Sequence, residues 1–458
     1  MDNNKHIIMR FLEEIRITNL AYIAGMTNWC SIDDYAHLVR EKGGKKIWTD
    51  ALQQALMEHN AVMLPAAEEP YYIDASVRIP SNRHIEAAPD AVIRLLDGVK
   101  VLMLRNEHTL DGTHMPMSDD GRDVNISING GRWEEYHEKR AGYGKSGMYD
   151  EERSFYGVST CMLFNHIENL TLTNMTFAHT AAFAVQLGNA KNVVIENIIF
   201  DRCLADGIHI NGNVENVLVR GIHGQVGDDL VALNMYDWQN SAVNFGPGKC
   251  IFCDDISSSS SVGYKSMRLE PGIYTYDDGS SVDCSLNDVV IRNVQGVHTF
   301  KLYFQTPSYQ IGTAPEAGAP GSVSNIYFDD IDIDLSAPVD HFDEYVNSDP
   351  VRGVFGAFEL GSNISSISFE NIRLTWHGDK YPLSCLVSVG PKSIRVGDRE
   401  IFDPYISNHV ENIYLKDVYV NGEKLTETGD MVRCVRFEDV NGDGHSTGAG
   451  TIGSIAIE

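Results

Sequence analysis

Short runs of alternating apolar and polar residues recur along this chain. Seven of them are built alike, at Glu168–Phe177, Lys191–Phe200, Glu215–Gly224, Asn287–Gly296, Ser324–Ile333, Ser365–Leu374 and Glu411–Val420. Each opens on a polar pair that usually ends in Asn, alternates, takes a polar step and returns to an apolar residue. A period of two marks strands buried on one face. Asn169, Asn192 and Asn216 are 23 and 24 residues apart, and the later intervals stretch around insertions. One such strand per interval is too sparse for hairpins. It fits one coil of a solenoid whose coils stack at the strand spacing of about 4.8 Å. The pattern predicts an all-β fold, a single-stranded right-handed parallel β-helix, with Asn ladders at its turns to satisfy buried backbone groups. The Leu-x-x-Leu-x-Leu pattern of a leucine-rich solenoid is absent.

A second strand precedes most of these runs. The segments starting at Phe183, Asp206, Asp229, Lys265, Phe300 and Gly356 align without gaps. This alignment predicts one column of Asp206, Asp229, Lys265 and Phe300. It predicts another of Gln186, His209, Ala232, Arg268, Tyr303 and Glu359.

The N-terminal third reads differently. Thr49 to Asn60 has helical spacing with Thr49 as N-cap, and an open β-helix needs such an element over its first coil. Two units are expected: a helical or irregular extension over 1–46, and a β-helix with an N-terminal capping helix over 47–458. Tyr71 to Leu96 and Asn125 to Trp133 read as early coils.

Charge narrows the partners. The formal net charge is −28 over 458 residues. So acidic a chain disfavours nucleic acid and anionic membranes. Arg10, Glu13, Glu14 and Arg16 interrupt every apolar run near the N-terminus, and no stretch approaches the roughly 20 apolar residues of a membrane span. The expectation is a cytoplasmic protein with no membrane or nucleic-acid partner and room for a homo-oligomer. The eight cysteines include one close pair, Cys250 and Cys253. With no second pair or His cluster nearby, they read as ordinary thiols.

The chemistry concentrates in two dipeptide turns. Asp206 lies 22 and 23 residues before Asp228 and Asp229, which is one coil. Asp-Gly and Gly-Asp are common turn dipeptides, so either alone means little. Their coincidence one coil apart, each leading into a strand, places three carboxylates side by side. Glycoside hydrolysis needs one carboxyl to protonate the leaving oxygen and another to activate water or attack. Crowding raises the pKa of one of them.

These residues resemble glycoside hydrolase family 28, the inverting polygalacturonases. The resemblance covers roughly 47–430. It rests on Val62-Met63-Leu64-Pro65, Val77 to Asn82 and Ala88 to Ile93, on Ala205-Asp206-Gly207 at the family's Asn-Thr-Asp, and on Gly227-Asp228-Asp229 at its Asp-Asp pair. It implies Asp228 as general acid, with Asp206 and Asp229 holding and activating water. The family's Gly-His-Gly has no counterpart near Gly263 to Ser266. Its Arg-Ile-Lys is missing where Leu302 to Gln305 stand. Arg268 or Lys301 is left to substitute, which points away from polygalacturonate.

Further substrate-binding candidates surround the acids. His209 binds a sugar hydroxyl or tunes an aspartate. Lys265 and Tyr303 line the columns, and Glu270 pairs with Arg268 or adds a fourth carboxylate. Trp238 and Tyr236 offer stacking platforms, whereas His223 reads as structural. Insertions at 234–249 and 305–322 would close one end of the cleft and make the enzyme exo-acting. The expected function is an inverting glycosidase that needs no cofactor or metal. The alternatives are a lyase, epimerase or glycosyl transferase on the same fold, a lyase then holding calcium on the aspartates, or a non-catalytic carbohydrate-binding β-helix.

Overall fold

The computed structural model describes residues 2–99, 101–110, 112, 115–135, 160–237, 241–259, 266–303, 320–335, 355–376, 384–390, 393–396, 399–402, 407–434 and 449–458. The chain is a right-handed parallel β-helix in which nearly every strand pairs in parallel with the strand one coil away. The alternation seen in the sequence is the inside–outside pattern of the coils. Leu170, Val193, Val217, Ile251, Val289, Ile326, Ile367 and Ile413 are matched coil to coil. All eight are fully buried and form one file through the core.

The Asn that opens each run makes the corner. Asn125, Asn169, Asn192 and Asn216 adopt φ between +55° and +61°, a left-handed conformation that Asn tolerates better than most residues. Their side chains form a ladder: Asn169 donates to Asn125 at 2.8 Å, Asn192 to Asn169 at 3.0 Å and Asn216 to Asn192 at 2.9 Å. A parallel rung at the next corner runs from Asn197 to Asn174 to Asn129. Stacked amides supply the partners that a bent backbone lacks.

Two helices complete the barrel. Helix α2, Thr49–Glu58, buries Ala51, Leu52, Ala55 and Leu56 over the first coil. Its N-cap is Trp48, not Thr49, and it has no side-chain cap. Thr49 instead donates to Asp74 Oδ1 at 2.9 Å and accepts the Asp74 N–H at the same distance. That hydroxyl therefore staples the helix to a neighbouring loop. Before α2 the chain also lends strands to the main sheet, Trp29–Ser31 against Ala61–Leu64 and Lys45–Ile47 against Tyr71–Ile73 through Ile47.

Helix α1, Asp2–Ala24, runs along the outside of the solenoid against the direction of coil growth. A file of outward apolar residues, Val194, Leu218, Phe252, Val290 and Tyr327, is buried beneath its Ile8 and Leu12. Near its start, Lys5 reaches Asp329 at 2.9 Å and Glu370 at 2.6 Å. Further along, Arg16 meets Glu196 at 2.6 Å, and Tyr22 donates to Asn82 at 2.7 Å. Twenty-three residues span about 35 Å, close to seven strand spacings. Leu12→Ala is expected to lower stability by about 2–5 kcal/mol, read as an earlier denaturant midpoint. An unchanged midpoint would show that the helix is not held by this face. Among the described residues no helix is long and apolar enough to cross a membrane.

Candidate functional site

Asp206 and Asp229 each stand two residues before a short strand, Ile208–Asn211 and Val231–Asn234. Those strands pair with Ile208 opposite Val231, so the two aspartates occupy equivalent corners. Backbone bonds lock the corners together: Gly207 N–H donates to Asp229 O at 2.9 Å, and Ala184 N–H to Asp206 O at 3.0 Å. The neighbouring glycines are required by close approach. A Cβ on Gly207 would lie 2.3 Å from the Phe200 ring, and one on Gly227 would lie 2.3 Å from Leu204 O.

One oxygen from each of Asp206, Asp228 and Asp229 lies within 4.8 Å of the other two. The three differ in setting. Asp206 is 4% exposed and Asp229 1%, whereas the Asp228 side chain is 19% exposed. Asp206 accepts from the Asp229 N–H at 3.3 Å and from His209 Nδ1 at 2.6 Å. His209 Nε2 donates to Asp237 at 2.8 Å. The ring also stacks on Phe183, with centroids 3.9 Å apart.

Burial, and then the charge of Asp228, push the Asp206 carboxyl up to about 6. Burial works against a charged His209, but hydrogen bonds to Asp206 and Asp237 overcome it and raise the ring to about 10. His209 is therefore an imidazolium bridging two carboxylates.

Arg268 Nε lies 3.3 Å from Asp229 Oδ2, and its terminal nitrogen 3.9 Å from Asp228 Oδ1. Lys301 stands beside Arg268 one coil on, and Glu359 beside Lys301 on the next. Burial lowers the Lys301 pKa, opposed by Asp229, Glu359 and Asp228. Glu270 is fully buried. Tyr303, buried close to Arg268, Glu359 and Glu270, is held neutral by that burial.

The structure corrects the expected columns in one coil. The register pairs Arg268 with Lys301, not with Tyr303, and Met267 with Phe300. Phe300 belongs to the core, stacked on Phe358 at 5.0 Å. It does not join the column of Asp206 and Asp229. Extending the pairing of Ser266 with Thr299 puts His298 in that column. Tyr303 lies two residues further along the same face. Lys301 therefore stands in the coil after Arg268, immediately before the Leu302 to Gln305 segment that lacks a basic residue.

Tyr236 is buried against Phe245 and Tyr274 and offers no stacking surface. His223 bonds Ser257 at 2.7 Å on the flank that carries the long strands. Lys265 and Trp238 lie outside the described residues, as does most of the insertion expected at 305–322. The described part of 234–249 folds back over earlier coils, where Val243 packs on Leu102, Leu163 and Ala181 and Ser241 O accepts from Gln186 at 2.7 Å. Asp237, which clamps His209, is not among the residues that the sequence pattern singles out. It sits in an irregular loop whose only sequence signal is an aspartate between two aromatic residues.

No family profile and no curated protein matches this chain. Among solved structures it is similar to the family 28 exopolygalacturonase of Yersinia enterocolitica, with 12% identity, TM-score 0.43, and coverage of 94% of this chain and 78% of that one. It is similar to the hyperthermoactive exopolygalacturonase of Thermotoga maritima at 9% identity and TM-score 0.42, covering 97% and 96%. It is also similar to a tailspike protein of Escherichia coli bacteriophage HK620 at 11% identity and TM-score 0.48, covering 86% and 67%. Likenesses at this level concern the β-helix alone, so the function is argued from the site.

Proposed function

We propose that this protein is a glycoside hydrolase acting on an oligo- or polysaccharide through Asp206, Asp228 and Asp229. The observation that carries this is the meeting of three carboxyl groups from successive coils, with two of them deeply buried and the third facing outward. Asp228, the most exposed, is the general acid that protonates the leaving oxygen. Asp206 and Asp229 hold and polarise the water. With Asp206 at about 6, the site has a base that is ionised at neutral pH and lost on mild acidification. Arg268 balances the charge of Asp229 without leaving the cluster.

The acids are closer than the about 6.5–9.5 Å through which a simple acid–base pair inverts. In our reading water sits at the edge of the cluster and attacks with inversion. The anomer first released, followed by NMR, tests this. A product of retained configuration would assign one aspartate as a nucleophile instead.

A second reading is favoured by the same crowding: three carboxylates that close can hold a divalent cation, as a calcium-dependent lyase requires. Arg268 argues against it. A guanidinium already sits 3.3 Å from Asp229 and 3.9 Å from Asp228, where a cation would compete with it. Turnover is expected to be unchanged after exhaustive treatment with EDTA. Loss of turnover in chelator, restored by calcium, would favour the lyase.

A further inference from the structure

We infer that the cleft is built for a sugar that carries no carboxylate beside the cleaved bond, because, among the described residues, its buried guanidinium is paired with carboxylates of the protein and its buried ammonium stands beside another. This rests on the hydrolase reading above and names its substrate class.

A site that selects a uronic acid must offer the sugar carboxylate a cation whose charge is available. Two cations face this cleft among the described residues, apart from the imidazolium of His209. Arg268 is engaged by Asp229 at 3.3 Å and lies 3.9 Å from Asp228. Glu270, two residues on, adds a third negative charge acting on it. Lys301 is 7% exposed and is flanked by Glu359 in the adjacent strand. Asp229 and Asp228 act on it from the other side. His209 is consumed by Asp206 and Asp237.

The cluster thus carries more carboxyl groups than cations even when Asp206 is protonated. A sugar carboxylate seated on Arg268 would have to lie against Asp228 and Asp229. That juxtaposition repels an anion and leaves hydroxyl groups as the natural partners. Hydroxyls can donate to the carboxylates and accept from Arg268 and Lys301 without changing the net charge. The cations are positioning residues here, since they hold the aspartates apart and in place.

The test uses matched pairs: a panel of oligouronides, and the same oligosaccharides after chemical reduction of each carboxyl to a primary alcohol. Initial cleavage rates are measured on the full-length protein. In every pair that is cleaved, the reduced member is expected to react at least about tenfold faster. Faster cleavage of the uronide would overturn the inference and leave the hydrolase reading standing. No cleavage of any member, charged or reduced, would overturn both. Glu359→Gln gives a second arm, because it removes the negative charge that stands beside Lys301 in the adjacent strand. It is expected to shift the ratio of the two rates towards the uronide by about threefold or more. A ratio equal to that of the unaltered protein would show that Glu359 does not neutralise Lys301. Should that variant fail to fold, Glu270→Gln makes the same test beside Arg268.

Discussion

Asp228→Asn is expected to reduce turnover by about 10²–10⁴-fold, the range over which a positioned general acid acts. Stability should hardly change. Asp228 is the most exposed of the three acids, and Arg268 lies closer to Asp229 than to it. Removing its charge also relieves Asp206, whose pKa is raised first by burial and then by Asp228. The acid limb of any residual activity should therefore move to lower pH. Thermal melts and pH–rate profiles of the variant read both effects. Hydrolysis at the original rate would remove Asp228 from the mechanism. A protein that only binds carbohydrate would show unchanged affinity and no turnover before or after the substitution.

His209→Gln is expected to be the most damaging substitution for stability near neutral pH, costing about 3–5 kcal/mol. It leaves Asp206 and Asp237 buried without the imidazolium between them. The direction with pH follows from linkage. His209 is raised from an ordinary 6.5 to about 10. Its contribution is complete below about 6.5 and is lost as pH rises through about 10. Asp206 is raised from 3.8 to about 6. Its contribution is complete below 3.8 and lost as pH rises through about 6. Both make the native protein less stable as pH rises, in two windows. Glu135, pushed up from 4.5 to about 7 by burial, adds to the same trend, overlapping the lower window and running a little beyond it. In His209→Gln the upper window should vanish, and the loss should shrink on acidification as Asp206 takes up its proton. Activity should also fail at higher pH on the acid side, because Asp206 without its imidazolium holds its proton more tightly. A variant as stable as the parent from pH 5 to 10 would contradict the bridge seen here.

Most of the fold was legible because inside and outside alternate with a period of two, and Leu170, Val193 and Val217 follow it without exception. The same property explains the one error of register. A shift of two residues keeps every side chain on its face. Phe300 and His298 therefore fit the column of Asp206 and Asp229 equally well by pattern, and only backbone pairing distinguishes them. The aspartate cluster was legible because its spacing equals one coil. Asp237 was not, since it reaches His209 from a loop with no periodicity. The seat of α1 was also invisible. Val194, Leu218, Phe252, Val290 and Tyr327 are outward positions that happen to be apolar, and nothing local says what covers them. Thr49 was misread because its hydroxyl has two uses, and the loop holding Asp74 won.

Helix α1 has a consequence for the order in which the molecule can be finished. A solenoid usually grows coil upon coil, each new turn needing only the one before. Lys5, however, closes on Glu370, 365 residues later in the chain. At a synthesis rate of about 5–20 residues per second, roughly 20–70 s separate the two ends of that contact. During that interval the helix has left the ribosome with its apolar face bare, while the coils that will receive it are still being made. A segment made early thus settles only after coils made long after it. Its arrival ties early coils to late ones, so that an array of neighbours becomes a single cooperative body.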